Sequence, residues 1–104
     1  MKMYIILKHN IPDKLVPVIT AHASLACYKK FQNNDNMIKW INGIFKKVVC
    51  LANEIEFDQL KNETNFVVLT ESSLNSKEVC LVFCPREEYS KKFKFLKMWT
   101  PQNI

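Results

Sequence analysis

The stretch Thr20-Ala21-His22-Ala23-Ser24-Leu25-Ala26-Cys27-Tyr28-Lys29-Lys30-Phe31 constrains this chain more than any other. It reads as a buried helix, because small side chains let a helix lie close against a sheet. A histidine inside such a run either hydrogen-bonds within the core or faces a cleft. Val18, Ala21, Leu25 and Tyr28 recur at helical spacing and predict the buried stripe, with His22 on a neighbouring stripe beside Ile19, Ala26 and Lys29. The regular helix is expected to start near Val16, with Pro17 in its first turn, and to run to about Phe31.

Short aliphatic runs surround this helix. Met3 to Lys8 reads as a first strand, ended by His9-Asn10-Ile11-Pro12. Gln32 to Asn36 is a polar break. Met37, Trp40, Ile41 and Ile44 then suggest a second helix, with Gly43 as terminator. Val48 to Ala52 suits a buried strand. Asn53 and Glu56 have the spacing of a capping box for a short helix carrying Ile55, Phe57 and Leu60. Phe66 to Leu69 and Val79 to Cys84 are two further strands, and their short polar connection predicts an antiparallel hairpin. After Pro85 a basic amphipathic helix is expected, with Tyr89, Phe93 and Leu96 inside and Lys91, Lys92, Lys94 and Lys97 outside, then a tail from Thr100 to Ile104. The order β-α-α-β-α-β-β-α predicts an α/β fold: a three-layer α/β/α domain with a mixed four-stranded sheet and about four helices, spanning residues 1–104.

A length of 104 residues suits one domain. The formal charge of +5 permits nucleic-acid binding without demanding it. Arg86 is the sole arginine, so bidentate base reading is not the main business of this surface. Cys27, Cys50, Cys80 and Cys84 sit in apolar runs without CxxC spacing and read as buried free thiols of a reducing compartment. Neither a metal site nor a cofactor is expected. The apolar start is too short for a signal peptide or a membrane span, which predicts a cytoplasmic protein with no membrane partner. With Gly43 the only glycine, glycine-rich phosphate loops are excluded.

Motif by motif, the chain resembles the type II peptidyl-tRNA hydrolases of archaea and eukaryotes. Asp13-Lys14 stands at the helix start where that family has Gly-Lys, and Ala21-His22-Ala23 matches its His-Ala. Lys46-Lys47-Val48-Val49-Cys50 matches its lysine-flanked strand. Glu71-Ser72-Ser73-Leu74-Asn75 stands at its Asp-Ala-Gly-x-Thr loop, with Glu71 for the aspartate, Ser73 for the glycine and Asn75 for the threonine. The resemblance covers essentially the whole chain. It implies a homodimeric hydrolase cleaving the ester between a peptide and tRNA, with Lys14, His22 and Glu71 catalytic and Ser72, Ser73, Asn75, Lys91 and Lys94 binding substrate. Trp99, Phe95 and Met98 are candidates for the dimer interface.

Such chemistry needs activated water and a stabilised oxyanion. Glu71 could position or deprotonate the water, and Lys14 could hold the oxyanion or a phosphate. Each residue also has a plainer reading: His22 as a half-buried helix residue, Glu71 as a loop-end carboxylate, and Lys14 and the Lys91 to Lys97 cluster as solvated cations. The altered loop leaves a second function open, a non-catalytic RNA- or protein-binding module on the same scaffold.

Overall fold

The structure is a computed structural model that describes residues 1–102; Asn103 and Ile104, the end of the expected tail, lie outside the described residues. Three helices and five strands follow in the order β1 (Met3–Lys8), α1 (Val16–Lys30), α2 (Asp35–Asn42), β2 (Lys47–Ala52), α3 (Glu54–Leu60), β3 (Phe66–Glu71), β4 (Lys77–Phe83) and β5 (Lys97–Met98). The sheet order is β3-β4-β1-β2-β5. Only β1 and β2 are parallel, with Met3 opposite Lys47 and Lys8 opposite Ala52. The predicted hairpin is present: β3 pairs antiparallel with β4, and the register shifts between Leu69 and Thr70.

Alternation along β1 divides the interior in two. Met3, Ile5 and Leu7 face a core shared with Val16, Ile19, Ala23 and Cys27 of α1 and with Met37 and Trp40 of α2. Tyr4 and Ile6 face the opposite core, built from Phe57 and Leu60 of α3, Phe83, Phe93 and Leu96. This is the period-2 pattern of a strand buried on both faces.

Local chemistry fixes the helix ends. Val16 opens α1 with Pro17 in its first turn, as the sequence predicts. Asn34 caps α2 by accepting from the backbone N–H groups of Asn36 at 2.9 Å and Met37 at 3.1 Å. The capping box of α3 is complete: Asn53 Oδ1 accepts from Glu56 N at 2.8 Å, and Glu56 Oε1 accepts from Asn53 N at 2.9 Å.

Two expectations are corrected. Among the described residues the sheet has five strands and there are three α-helices, not four and about four. The expected last helix is a 3-10 turn over Lys91–Phe95 followed by the two-residue strand β5. Phe93 and Leu96 are buried as expected, but β2 presents an open edge whose backbone groups need partners. The chain supplies them: Cys50 and Leu51 pair with Met98 and Lys97, and Trp99 N donates to Val49 O at 3.0 Å.

The buried stripe of α1 is also not the predicted one. Val18 and Leu25 are 54% and 60% exposed, while Val16, Ile19, Ala23 and Cys27 face the core. The sequence offers apolar residues on both sides of this helix. The sheet takes the side with the small Ala23 and Cys27 at its centre, which permits the closer approach.

Candidate functional site

The chain leaves β1 toward α1 on one face of the sheet and leaves β2 toward α3 on the other. Neighbouring parallel strands whose connections diverge leave a crevice at their carboxyl ends, the usual ligand position in an open α/β sheet. His9, Asn10 and Ile11 sit there and line two adjoining hollows of about 430 and 390 Å³. Asn10 is at φ 70°, in the left-handed region that asparagine tolerates.

The first hollow is completed by Lys8, Glu54, Leu74, Asn75, Lys77, Glu78 and Val79. Lys8 Nζ lies 3.4 Å from Glu54 Oε1 and 5.2 Å from the centre of the Phe57 ring. Glu78 forms an ion pair with Lys61. On the other side, Asp13 Oδ2 accepts from the Gln102 backbone N–H, so the segment after β5 closes over the start of α1. His9 is held by its backbone, which donates to Ala52 O at 2.9 Å. Its Nδ1 atom is buried and has no hydrogen-bond partner among the described residues. A buried ring nitrogen is ordinarily met by a hydrogen-bond donor or acceptor, so this atom is a candidate contact for a molecule bound in the crevice.

The expected site residues are placed as follows. Asn75, at φ 58° in the turn between β3 and β4, lines the crevice. Glu71 ends β3 half-buried, and its Oε1 accepts from Ser73 N at 3.3 Å and from Ser73 Oγ at 3.2 Å. Ser72 and Ser73 are exposed in the same turn. Lys14 is exposed on a 3-10 turn just before α1. His22 is exposed on α1, about 9 Å along the helix axis from Val16. Lys91 is exposed on the last 3-10 turn, and Lys94 lines a different hollow with Lys2, Tyr4 and Arg86, at the amino end of β1. That hollow lies about 17 Å from the crevice, the length of β1. Of the expected site residues the structure thus brings Asn75 into the crevice with His9, Asn10, Lys8 and Lys77, while Lys14, His22, Glu71, Ser72, Ser73, Lys91 and Lys94 line neither hollow.

His9, Asn10 and Lys77 were missed by sequence reasoning, which took His9 to Pro12 only as a strand terminator. One signal was available: a polar His-Asn pair directly after the strand that starts a crossover. Chemically the first hollow holds an imidazole, the ammonium groups of Lys8 and Lys77, the carboxylates of Glu54 and Glu78, and the side-chain amides of Asn10 and Asn75. Among the described residues no cluster of three or more His, Cys, Asp or Glu is placed to hold a metal.

The four cysteines lie outside this chemistry. All are buried and unbridged. Burial pushes the Cys27 thiol up to about 12, aided by the nearby Cys84, and pushes Cys50 up to about 11. Such thiols are poor nucleophiles.

Neither a protein-family model nor a curated protein matches this chain.

Proposed function

We propose that the protein is an esterase acting on peptidyl-tRNA or N-blocked aminoacyl-tRNA, with the crevice at the carboxyl end of β1 as its reaction site. The observation that carries this reading is the meeting of two turns: His9-Asn10 after β1 and Leu74-Asn75 after β3 line one hollow. The second is the loop on which the resemblance to type II peptidyl-tRNA hydrolases places the substrate-handling residues. In the reaction a water oxygen attacks the ester carbonyl carbon and its proton passes to a base, His9 or Glu71. The acyl carbon–oxygen bond then breaks, and the ribose oxygen takes a proton back. Lys77, which lines the crevice, supplies positive charge for the oxyanion or the terminal phosphate.

The test is release of tRNA from purified N-blocked aminoacyl-tRNA by wild type, Glu71→Gln and His9→Gln. Turnover is expected to fall by about 100-fold or more in the variant that loses the base. Wild-type protein that binds tRNA without releasing it would sink the esterase reading.

A second reading rests on one contact. The Glu71 carboxylate accepts from Ser73 of its own turn, an arrangement that suits a structural cap in a non-catalytic RNA- or protein-binding module. Binding that depends on lysines and salt, and ignores Glu71→Gln, would establish it. The homodimer belongs with the first reading. Phe95 and Met98 are 80% and 59% exposed and available to such an interface, whereas Trp99 packs against the α1-side core.

A further inference from the structure

β3 is the outermost strand of the sheet, and its outer side has no strand partner among the described residues. Its first four residues, Phe66-Val67-Val68-Leu69, are apolar and each is half-exposed. Hydrogen bonds at its two ends show which backbone groups point outward. Asn65 O accepts from Cys84 N at 2.9 Å and Glu71 O accepts from Ser76 N at 2.9 Å, both toward β4 and its turn. The extra residue at the register shift, Val79, belongs to β4, so β3 itself alternates regularly. Val68 and Thr70 therefore direct their N–H and C=O groups away from the sheet. Protected edges carry proline, a bulge or an inward charge, and β3 has none of these between Phe66 and Thr70. Lys30 Nζ donates to Phe66 O at 3.2 Å and so occupies the first outward carbonyl. The opposite side of the sheet ends in the two-residue β5, too short to template a partner.

The helical layer has matching room. α1 packs mainly over β3 and β4. Its Val16, Ile19, Ala23 and Cys27 face the core, and Pro17, Thr20, Ala21 and Ser24 line the side toward β2. At about 100° per residue, the flank toward the outer side of β3 carries Val18, His22, Ala26 and Lys30 in one i, i+4 row. The contact of Lys30 with Phe66 fixes this direction. Val18 is 54% exposed, His22 is exposed and Ala26 is half-buried. A copy of β3 added at this edge places a copy of α1 two strand spacings away, roughly 9.5 Å, which falls in the roughly 8–10 Å range of packed helices.

We infer that the outer edge of β3 is the docking site of a second copy of this chain, whose β3 lies antiparallel to it and joins the two sheets into one. A two-fold axis through the sheet keeps both copies of α1 on one face, so residues opposite each other share a face. Val67 and Leu69 face the α1 side, and Phe66 and Val68 the other. Val68 pairs with Thr70 of the second copy and exchanges both N–H···O bonds with it. Leu69 meets its own copy at the axis, and Val67 lies opposite Glu71 of the second copy. Lys30 keeps its bond to Phe66 O in this register, and with donors to spare its ammonium comes beside that Glu71. A register with Val68 opposite itself would call on Phe66 O, which Lys30 already holds. The contact is thus self-complementary in charge as well as in hydrogen bonding, with a cation at the start of β3 and a carboxylate at its end. An unrelated extended peptide would use the same backbone groups but leave the Val18-His22-Ala26 flank of α1 bare. This interface lies at the other side of the sheet from Met98 of β5, and it does not rest on the esterase reading.

Sedimentation equilibrium of the whole protein tests it, with mass rather than activity as the readout. At about 100 µM the expected mass is twice the 12.2 kDa of one chain. Thr70→Pro removes an N–H that points out of the sheet, a position where proline is tolerated, and should raise the dissociation constant by about tenfold or more with circular dichroism unchanged. If Thr70→Pro does not fold, Thr70→Lys replaces it. Lys30→Glu and Glu71→Lys should each weaken the dimer several-fold. An equimolar mixture of the two should recover it, because each copy then carries the charge that the other needs. The inference is overturned if the wild-type chain sediments as a monomer at about 100 µM, if the Thr70 variant dimerises as wild type does, or if mixing the charge variants recovers nothing. A dimer kept by the Thr70 variant and lost on Phe95→Asp would set the interface beside β5 and overturn it equally.

Discussion

The hydroxyl of Tyr89 lies 2.8 Å from the Lys2 carbonyl oxygen and 3.0 Å from that of Cys84, so one phenol ties the start of β1 to the chain after β4 across 87 positions of sequence. Its ring packs against Tyr4 and Phe93, both 4.6 Å away between centres, and Arg86 stacks on it at 4.8 Å. Tyr89→Phe keeps the ring and removes the hydroxyl donor these carbonyls share. It is expected to cost about 1–2 kcal/mol, read from urea unfolding.

The same phenol makes stability depend on alkaline pH. Burial pushes its pKa above the ordinary tyrosine range, opposed in part by the Arg86 charge. The folded state therefore holds the proton more tightly than the unfolded chain. The contribution is complete below about pH 10 and is lost as pH rises through that value toward the folded pKa. The gap in urea midpoint between wild type and Tyr89→Phe should narrow above that pH. A constant gap would contradict the assignment.

The cysteines give an independent readout. With Cys27 near 12 and Cys50 near 11, both are thiols at neutral pH in the folded protein. Ellman's reagent at pH 8 should leave all four buried cysteines unreacted in the native protein and modify four per chain in guanidinium. Their stabilising contribution holds below about pH 9 and falls away as pH rises through the shifted values. Rapid native labelling would show that the core around α1 opens.

A paired substitution tests the last segment. Phe93 is 2% exposed and Phe95 80%. Phe93→Ala is expected to cost about 3–5 kcal/mol and Phe95→Ala within about 0.5. Equal losses would place both rings in the core, contrary to the 3-10 turn.

The capping box offers a smaller, sharper effect. Asn53→Ala removes the acceptor for Glu56 N and should destabilise by about 1 kcal/mol, measured by thermal unfolding. Asn53→Asp, which keeps the acceptor, should restore most of it.

What could be read from the sequence was what depends on neighbours along the chain. The cap at Asn53, the start of α1 at Val16 and the β3–β4 hairpin all follow from local spacing. The buried side of α1 did not, because Val18 and Leu25 are as apolar as Val16 and Ile19, and only the sheet decides between them. The stretch Lys92-Phe93-Lys94-Phe95-Leu96 fits helical and extended periods alike; the unpaired edge of β2, formed some fifty residues earlier, settles it. For the candidate site the gap was larger. His9 and Asn75 are brought together by the crossover of β1 and the return of β4, which no local pattern contains.

The short strand β5 has one more consequence. Beneath it, Val48 to Ala52 is a run of β-branched and apolar residues without charge, proline or glycine, the composition that seeds strand-upon-strand polymerisation when its edge is bare. Among the described residues, Met98, Lys97 and the Trp99 amide pair with that edge. The segment from Lys97 to Trp99 thus covers a strand edge of sticky composition, and removing it is expected to raise the protein's tendency to self-associate.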